Sequence, residues 1–143
     1  MTNPARFSTV RAKICREKQM PSPAFHAPST VEEAIGLLAA NPAARPLSGG
    51  TDLIVQMRSR RIAPAAIIDL KRIPGMIGIR EEGGGFVIGA ATPCTVLRDH
   101  AALSAAWPGV VEAAYLIGSV QVRNRATVAG NLCNASPAAD SVP

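Results

Sequence analysis

The chain has few aromatic, histidine and cysteine residues, and each shortage excludes something. Aromatic side chains make up 3% of its 143 positions, too few for the stacking platforms that hold single-stranded nucleic acids. Three cysteines, Cys15, Cys94 and Cys133, are odd in number and far apart. They form no CxxC pair and have no histidine pair beside them, which argues against a disulfide framework and a zinc site. That usage points to a reducing compartment, and the expectation is a cytoplasmic protein. No apolar run approaches the roughly 18 residues of a membrane span. The first residues also lack the apolar stretch of a secretory signal. Hydrophobic residues nevertheless account for 48% of the chain, enough to exclude wholesale disorder and to bury one core.

The net charge is +5, and its location decides what it means. Arg6, Arg11, Lys13, Arg16 and Lys18 stand against Glu17 alone in residues 1–19. The remaining residues hold ten basic and nine acidic side chains, so the body of the chain is nearly neutral. A nucleic-acid binder would carry basic residues along a recognition helix or face, and none is visible. Residues 1–19 read as a disordered extension or as sequence upstream of a true start at Met20. Organised sequence begins just after that methionine.

Ser29-x-x-Glu32 has the spacing of a capping box, and Val31, Ala34, Ile35 and Leu38 fall on one helical face. Asn41-Pro42 ends that helix. Residues 45–48 read as a strand, Gly49-Gly50 as a turn, 51–60 as a helix with Leu53, Ile54 and Met57 inward, and 66–70 as a buried strand. Strand, helix and strand in that order make a parallel βαβ unit. After Pro74, the run from Ile77 to Ile88 reads as a hairpin turning at Gly83-Gly84-Gly85. Thr92-Pro93 caps a short helix, and Pro108 opens another with Val110, Val111, Ala114 and Leu116 apolar. Beyond Gly118 no period is evident.

Two small-residue loops stand out. Pro46 to Asp52 joins a strand to a helix. Its glycines permit positive φ and close approach of a ligand, and a helix start presents N–H groups to phosphate oxygens. Neither GxGxxG nor GxxxxGK[ST] is present. Taken alone, the pair reads as a plain turn with Thr51 or Asp52 as helix cap. The second loop runs from Thr127-Val128-Ala129-Gly130-Asn131 through Cys133 to Asp140. Its amide, hydroxyl and small apolar groups suit a polyhydroxylated, phosphate-bearing ligand, while Asp140 also fits a helix N-cap. His26 and His100 are isolated and read as surface or structural residues, not catalysts. Arg123 and Arg125 read either as phosphate neighbours or as solvated or partner-facing cations. Cys133 reads as a small buried thiol.

SGGTDL at 48–53 and RNRATVAGNLCNASPAAD at 123–140, with IIDL at 67–70 and IGAAT at 88–92 between them, resemble the FAD-binding domain of the molybdenum hydroxylases. More narrowly, the chain resembles the medium subunit of the xanthine dehydrogenase and carbon monoxide dehydrogenase family, from about Phe25 to Pro143. The resemblance implies an α+β, p-cresol methylhydroxylase-like FAD-binding domain. Within it, a small βαβ subdomain at 20–72 would be followed by an incomplete second α/β subdomain at 73–143. FAD is the implied cofactor. Leu47, Ser48, Gly49, Gly50, Thr51, Asp52 and Leu53 would cradle its pyrophosphate, chiefly through backbone N–H groups. Thr127, Val128, Ala129, Gly130 and Asn131 would form a second phosphate and ribityl clamp. Asp140 would accept hydrogen bonds from cofactor hydroxyls, and Ile117 would pack near the flavin ring.

The implied partners are an iron–sulfur small subunit and a molybdopterin-binding large subunit. Electrons would pass from iron–sulfur clusters through FAD to NAD or another acceptor. No residue of this chain is expected to act as a catalyst or metal ligand. Two departures from the family pattern bear on this. Ala129-Gly130 stands where the family commonly has Gly-Gly, a poorer choice if positive φ is needed there. The family's domain also continues past the ASPAAD segment, so the expectation is a truncated chain. The alternative is a non-functional fragment that no longer binds FAD.

Overall fold

A computed structural model of the protein describes residues 22–136. Three strands form a parallel sheet in the order β1-β3-β2: β1 (Ala24–His26), β2 (Ala44–Leu47) and β3 (Ala66–Asp69). Ala66 pairs with Ala24 on one side and Ala44 on the other. As the central strand, β3 buries Ala66, Ile67 and Ile68, as a strand covered on both faces should. The βαβ expectation therefore holds, and β1 is an addition to it. Three residues long, β1 has too little sequence to show a period, and its partner lies some forty positions downstream.

Helix α1 (Val31–Ala40) lies over this sheet and ends at Asn41. Its cap is one residue later than the sequence suggests. Thr30, not Ser29, accepts from the Glu33 N–H at 3.1 Å, and Glu33 Oε2 reaches back to the Ser29 N–H at 2.9 Å. The apolar face turns accordingly. Ala34, Leu37 and Leu38 meet Ala44, Ala66, Ile68 and Ile73 in a first core, while Val31 and Ile35 are exposed. Between β2 and β3, α2 (Leu53–Arg58) is shorter than the 51–60 expected. A 3-10 turn at Leu70–Arg72 follows β3.

The hairpin is present as β4 (Ile79–Glu82) and β5 (Gly85–Ile88). Gly83 and Gly84 turn it at φ 59° and 77°, the pair of positive values that a two-residue type I′ turn requires. Buried Thr92 ties the hairpin's entry, exchanging hydrogen bonds of 3.0 Å with both the N–H and the carbonyl of Gly78. Five helices complete the described residues: α3 (Cys94–Asp99), α4 (Ala101–Ala106), α5 (Pro108–Leu116), α6 (Val120–Arg123) and α7 (Val128–Asn134). They enclose a second core of Cys94, Leu97, Leu103, Ala114, Ile117 and Ala126, against which Phe86, Ile88 and Val128 pack. The stretch beyond Gly118, which lacks sequence periodicity, thus contains two short capped helices instead of an irregular loop.

Side-chain caps account for several of these helices. His100 Nδ1 accepts from the Leu103 N–H at 3.1 Å to start α4, and its ring meets Phe86 edge-on. This is the structural role expected of it. Arg123 stacks over Tyr115 at 4.3 Å. It also donates to the carbonyls of Tyr115 and Gly118 at 3.0 and 2.7 Å, satisfying acceptors left open at the end of α5.

Candidate functional site

The β2–α2 connection and the start of α7 face each other across a cleft of about 360 Å³, near the lower end of the roughly 300–1,000 Å³ typical of ligand pockets. One wall is continuous chain from Arg45 to Leu53, and the other brings Ala90, Thr127, Ala129, Gly130, Asn131, Cys133 and Asn134. The two small-residue segments, about eighty positions apart in sequence, therefore face each other.

The glycines of the first wall serve different purposes. Gly50 has φ +80°, a conformation that favours glycine. Gly49 has no positive φ, but a Cβ on it would lie 1.9 Å from the Arg125 carbonyl oxygen. Its missing side chain lets one segment of the chain press against the other. Past this contact, the N–H groups of Gly50, Thr51, Asp52 and Leu53 meet no acceptor among the described residues. The first helical bond is made by the Ile54 N–H to the Gly50 carbonyl at 3.1 Å. Asp52 begins α2 without a side-chain cap bond, and Thr51 makes none either among the described residues.

The second wall is the start of α7. Thr127, buried, is its N-cap and accepts from the Gly130 N–H at 3.0 Å. A Cβ on Gly130 would sit 2.7 Å from that hydroxyl oxygen, so Gly130 keeps the cap intact. Ala129 is helical and has no positive φ; the alanine costs nothing in backbone strain there. Across the cleft, Gln56 Nε2 donates to Asn134 Oδ1 at 2.7 Å, joining α2 to α7.

The structure thus brings together Leu47, Ser48, Gly49, Gly50, Thr51, Asp52 and Leu53 with Thr127, Ala129, Gly130 and Asn131. Val128 turns away and packs on the second core. Ile117 is 5% exposed within that core and does not line the cleft, because a short apolar side chain at the end of α5 is drawn inward. Asp140 lies outside the described residues. Cys133 is exposed at the cleft rather than buried; the buried thiol is Cys94, pushed up from its ordinary pKa by desolvation. Arg45, Gln56, Ile62 and Leu70 also line the cleft without any motif marking them, as does Asn134 from within the second loop. Gln56 was within reach of sequence reasoning, since it lies one helical turn after Leu53.

The donor set suits a diphosphate-bearing ligand. It offers the unengaged backbone N–H groups of residues 50–53 on a loop whose tight path the two glycines permit. Among the described residues no group of three potential metal ligands occurs, and no helix is long and apolar enough to cross a membrane.

Comparison with known proteins identifies the family. Residues 18–143 match the family described as the FAD binding domain in molybdopterin dehydrogenase. The chain is 42% identical over 117 residues to the carbon monoxide dehydrogenase medium chain of Hydrogenophaga pseudoflava, covering 81% of this chain and 41% of that one. It is 37% identical over 118 residues to a xanthine dehydrogenase FAD-binding subunit of Escherichia coli O157:H7, covering 82% and 40%. Among solved structures, the reconstituted CO dehydrogenase from Oligotropha carboxidovorans superposes with a TM-score of 0.81 at 38% identity, over 85% of this chain and 43% of that one. The chain spans about two fifths of the length of the curated relatives it matches.

Proposed function

The chain belongs to the FAD-binding domain family of the molybdopterin dehydrogenases, and on that premise we propose that it is the flavin-holding, electron-transferring part of a molybdenum hydroxylase medium subunit. The observation that carries this reading is the convergence of the Ser48–Asp52 loop and the Thr127-capped start of α7 on one cleft. FAD, when bound, supplies the electron-transfer chemistry, and the protein supplies orientation and electrostatics.

In this reading the N–H groups of Gly50, Thr51 and Asp52 hold the pyrophosphate. Their dipoles replace the water shell of a doubly charged group without a dedicated cation. From the facing wall the Ala129 N–H, in the first turn of α7, is offered to phosphate or ribityl oxygens, and Asp140 accepts from cofactor hydroxyls. The Gln56–Asn134 bond closes one end of the cleft. The assembly would include an iron–sulfur small subunit and a molybdopterin-binding large subunit. Electrons would enter from the iron–sulfur clusters and leave to NAD or another acceptor. The free thiols of Cys94 and Cys133 suit a cytoplasmic setting.

A second reading is that this stretch does not retain FAD on its own. The cleft volume favours it, being small for a whole flavin dinucleotide. Titration of the purified protein with FAD, followed by flavin fluorescence, separates the two. Saturable binding in the micromolar range is the expected outcome. No saturation well above that range overturns the first reading in favour of the second.

A further inference from the structure

Lys71 carries no motif signal, yet its side chain reaches the loop on which the site depends. Its Nζ donates to the Ser48 carbonyl at 3.1 Å and lies 2.6 Å from Asp69 Oδ1. The same carboxylate oxygen accepts from the Lys71 backbone N–H at 3.1 Å. Asp69, at the end of β3, therefore fixes both the 3-10 turn and the ammonium. The two side chains are 29% and 15% exposed, and neither residue lines the cleft. The ammonium thus grips the Ser48–Gly49 peptide from behind.

All described peptide bonds are trans, and in a trans peptide the carbonyl and the following N–H point in opposite directions. Pinning the Ser48 carbonyl to Lys71 thereby holds the Gly49 N–H on the opposite side of the peptide, and both residues of that peptide line the cleft. That N–H meets no acceptor among the described residues. We infer that Lys71, braced by Asp69, is a positioning residue that aims the Gly49 N–H at the anionic part of the ligand. The inference rests on the proposed reading of the cleft as the flavin dinucleotide site. It adds a residue behind the loop, whose charge reaches the ligand through an oriented peptide without touching it.

The test measures FAD affinity by flavin fluorescence for the purified wild-type protein and for Lys71→Met, Lys71→Arg and Asp69→Asn, with the thermal midpoint of each. Lys71→Met is expected to weaken binding about tenfold, the loss of one charge-assisted hydrogen bond, and to lower the thermal midpoint through the lost Asp69 pair, a loss that Lys71→Arg reverses together with that of affinity. Lys71→Arg, which restores a cationic donor, is expected to recover most of that affinity; a side chain needed only for packing would show no such rescue. Wild-type protein that fails to bind FAD overturns the reading of the cleft and the positioning role with it. Wild-type binding together with Lys71→Met affinity within about twofold of it overturns the positioning role alone. If Lys71→Met does not fold, Asp69→Asn carries the test, since it keeps an oxygen acceptor but releases the ammonium. It is expected to weaken binding about threefold, and wild-type affinity in that variant overturns the proposal.

Discussion

Gly49 and Gly50 are neighbours under different constraints, and substitution separates them. At Gly49 an added Cβ meets backbone, the Arg125 carbonyl oxygen at 1.9 Å and its carbon at 2.8 Å, so one of the two segments has to move. Gly49→Ala is expected to cost about 3 kcal/mol, at the upper end for overpacking. At Gly50 the nearest atom is the flexible end of Leu47 at 2.8 Å, and the cost is mainly that of positive φ, about 1–2 kcal/mol. Urea midpoints of the two variants check this; a larger loss at Gly50 would show that the inter-segment contact is not the tighter constraint. The glycine pair is plain in the sequence. Its division of labour is not, because it depends on a carbonyl seventy-six positions away.

Asp69 adds a pH dependence at the same scale. Burial by itself would raise its carboxyl, but hydrogen bonds from Lys71 and the charges of Lys71 and Arg72 outweigh this and hold it below the ordinary carboxylate value. A group depressed in the folded state contributes stability that is present above its unfolded pKa and lost as pH falls through its folded one. Urea unfolding between about pH 3 and 6 is expected to show wild-type stability falling toward the acid end. The component due to Asp69 should be missing from Asp69→Asn, and parallel curves for the two proteins would contradict the assignment.

Among the elements, those with a period or a strong breaker are legible in the sequence and those made by capping are not. Helix α1 is evident from its apolar spacing and its Asn41-Pro42 stop, yet Ser29-x-x-Glu32 and Thr30-x-x-Glu33 both fit a capping box. Only the observed bond to the Glu33 N–H chooses between them. Helix α4 consists of AALSAA and starts on a histidine cap, while α6 and α7 are four and seven residues long. None is long enough to display helical periodicity, and tertiary packing decides such short segments. Helix α1 also contains a removable weakness. Gly36 is exposed, and a Cβ added to it would meet nothing within 4 Å, so Gly36→Ala is expected to stabilise the protein by about 0.8 kcal/mol through helix propensity. Thr127→Ala should act in the opposite direction, costing about 1 kcal/mol for the lost N-cap of α7. Denaturant midpoints of the two variants should therefore move in opposite directions from the wild type.

At the scale of the whole molecule, the first core belongs to the parallel sheet and α1, and the second to the hairpin and the later helices. The site lies between the β2–α2 connection of the first part and the start of α7 in the second, so its ligand should bind the two to each other. The Gly49–Arg125 contact and the 2.7 Å Gln56–Asn134 bond are the protein's own links across that line, and a bound diphosphate would add further ones. FAD at about 100 times its Kd is expected to stabilise the folded protein by about 2.7 kcal/mol. Amide hydrogen exchange should slow on both sides, at the 48–54 segment and at the first turn of α7. Gln56→Ala removes one neutral, partly buried bond, worth about 1 kcal/mol. It should weaken binding less than substitutions that alter the 48–50 backbone. Ligand protection confined to the 48–54 segment would mean that the α7 wall does not close on the ligand, and the second half of the proposed clamp would have to be withdrawn.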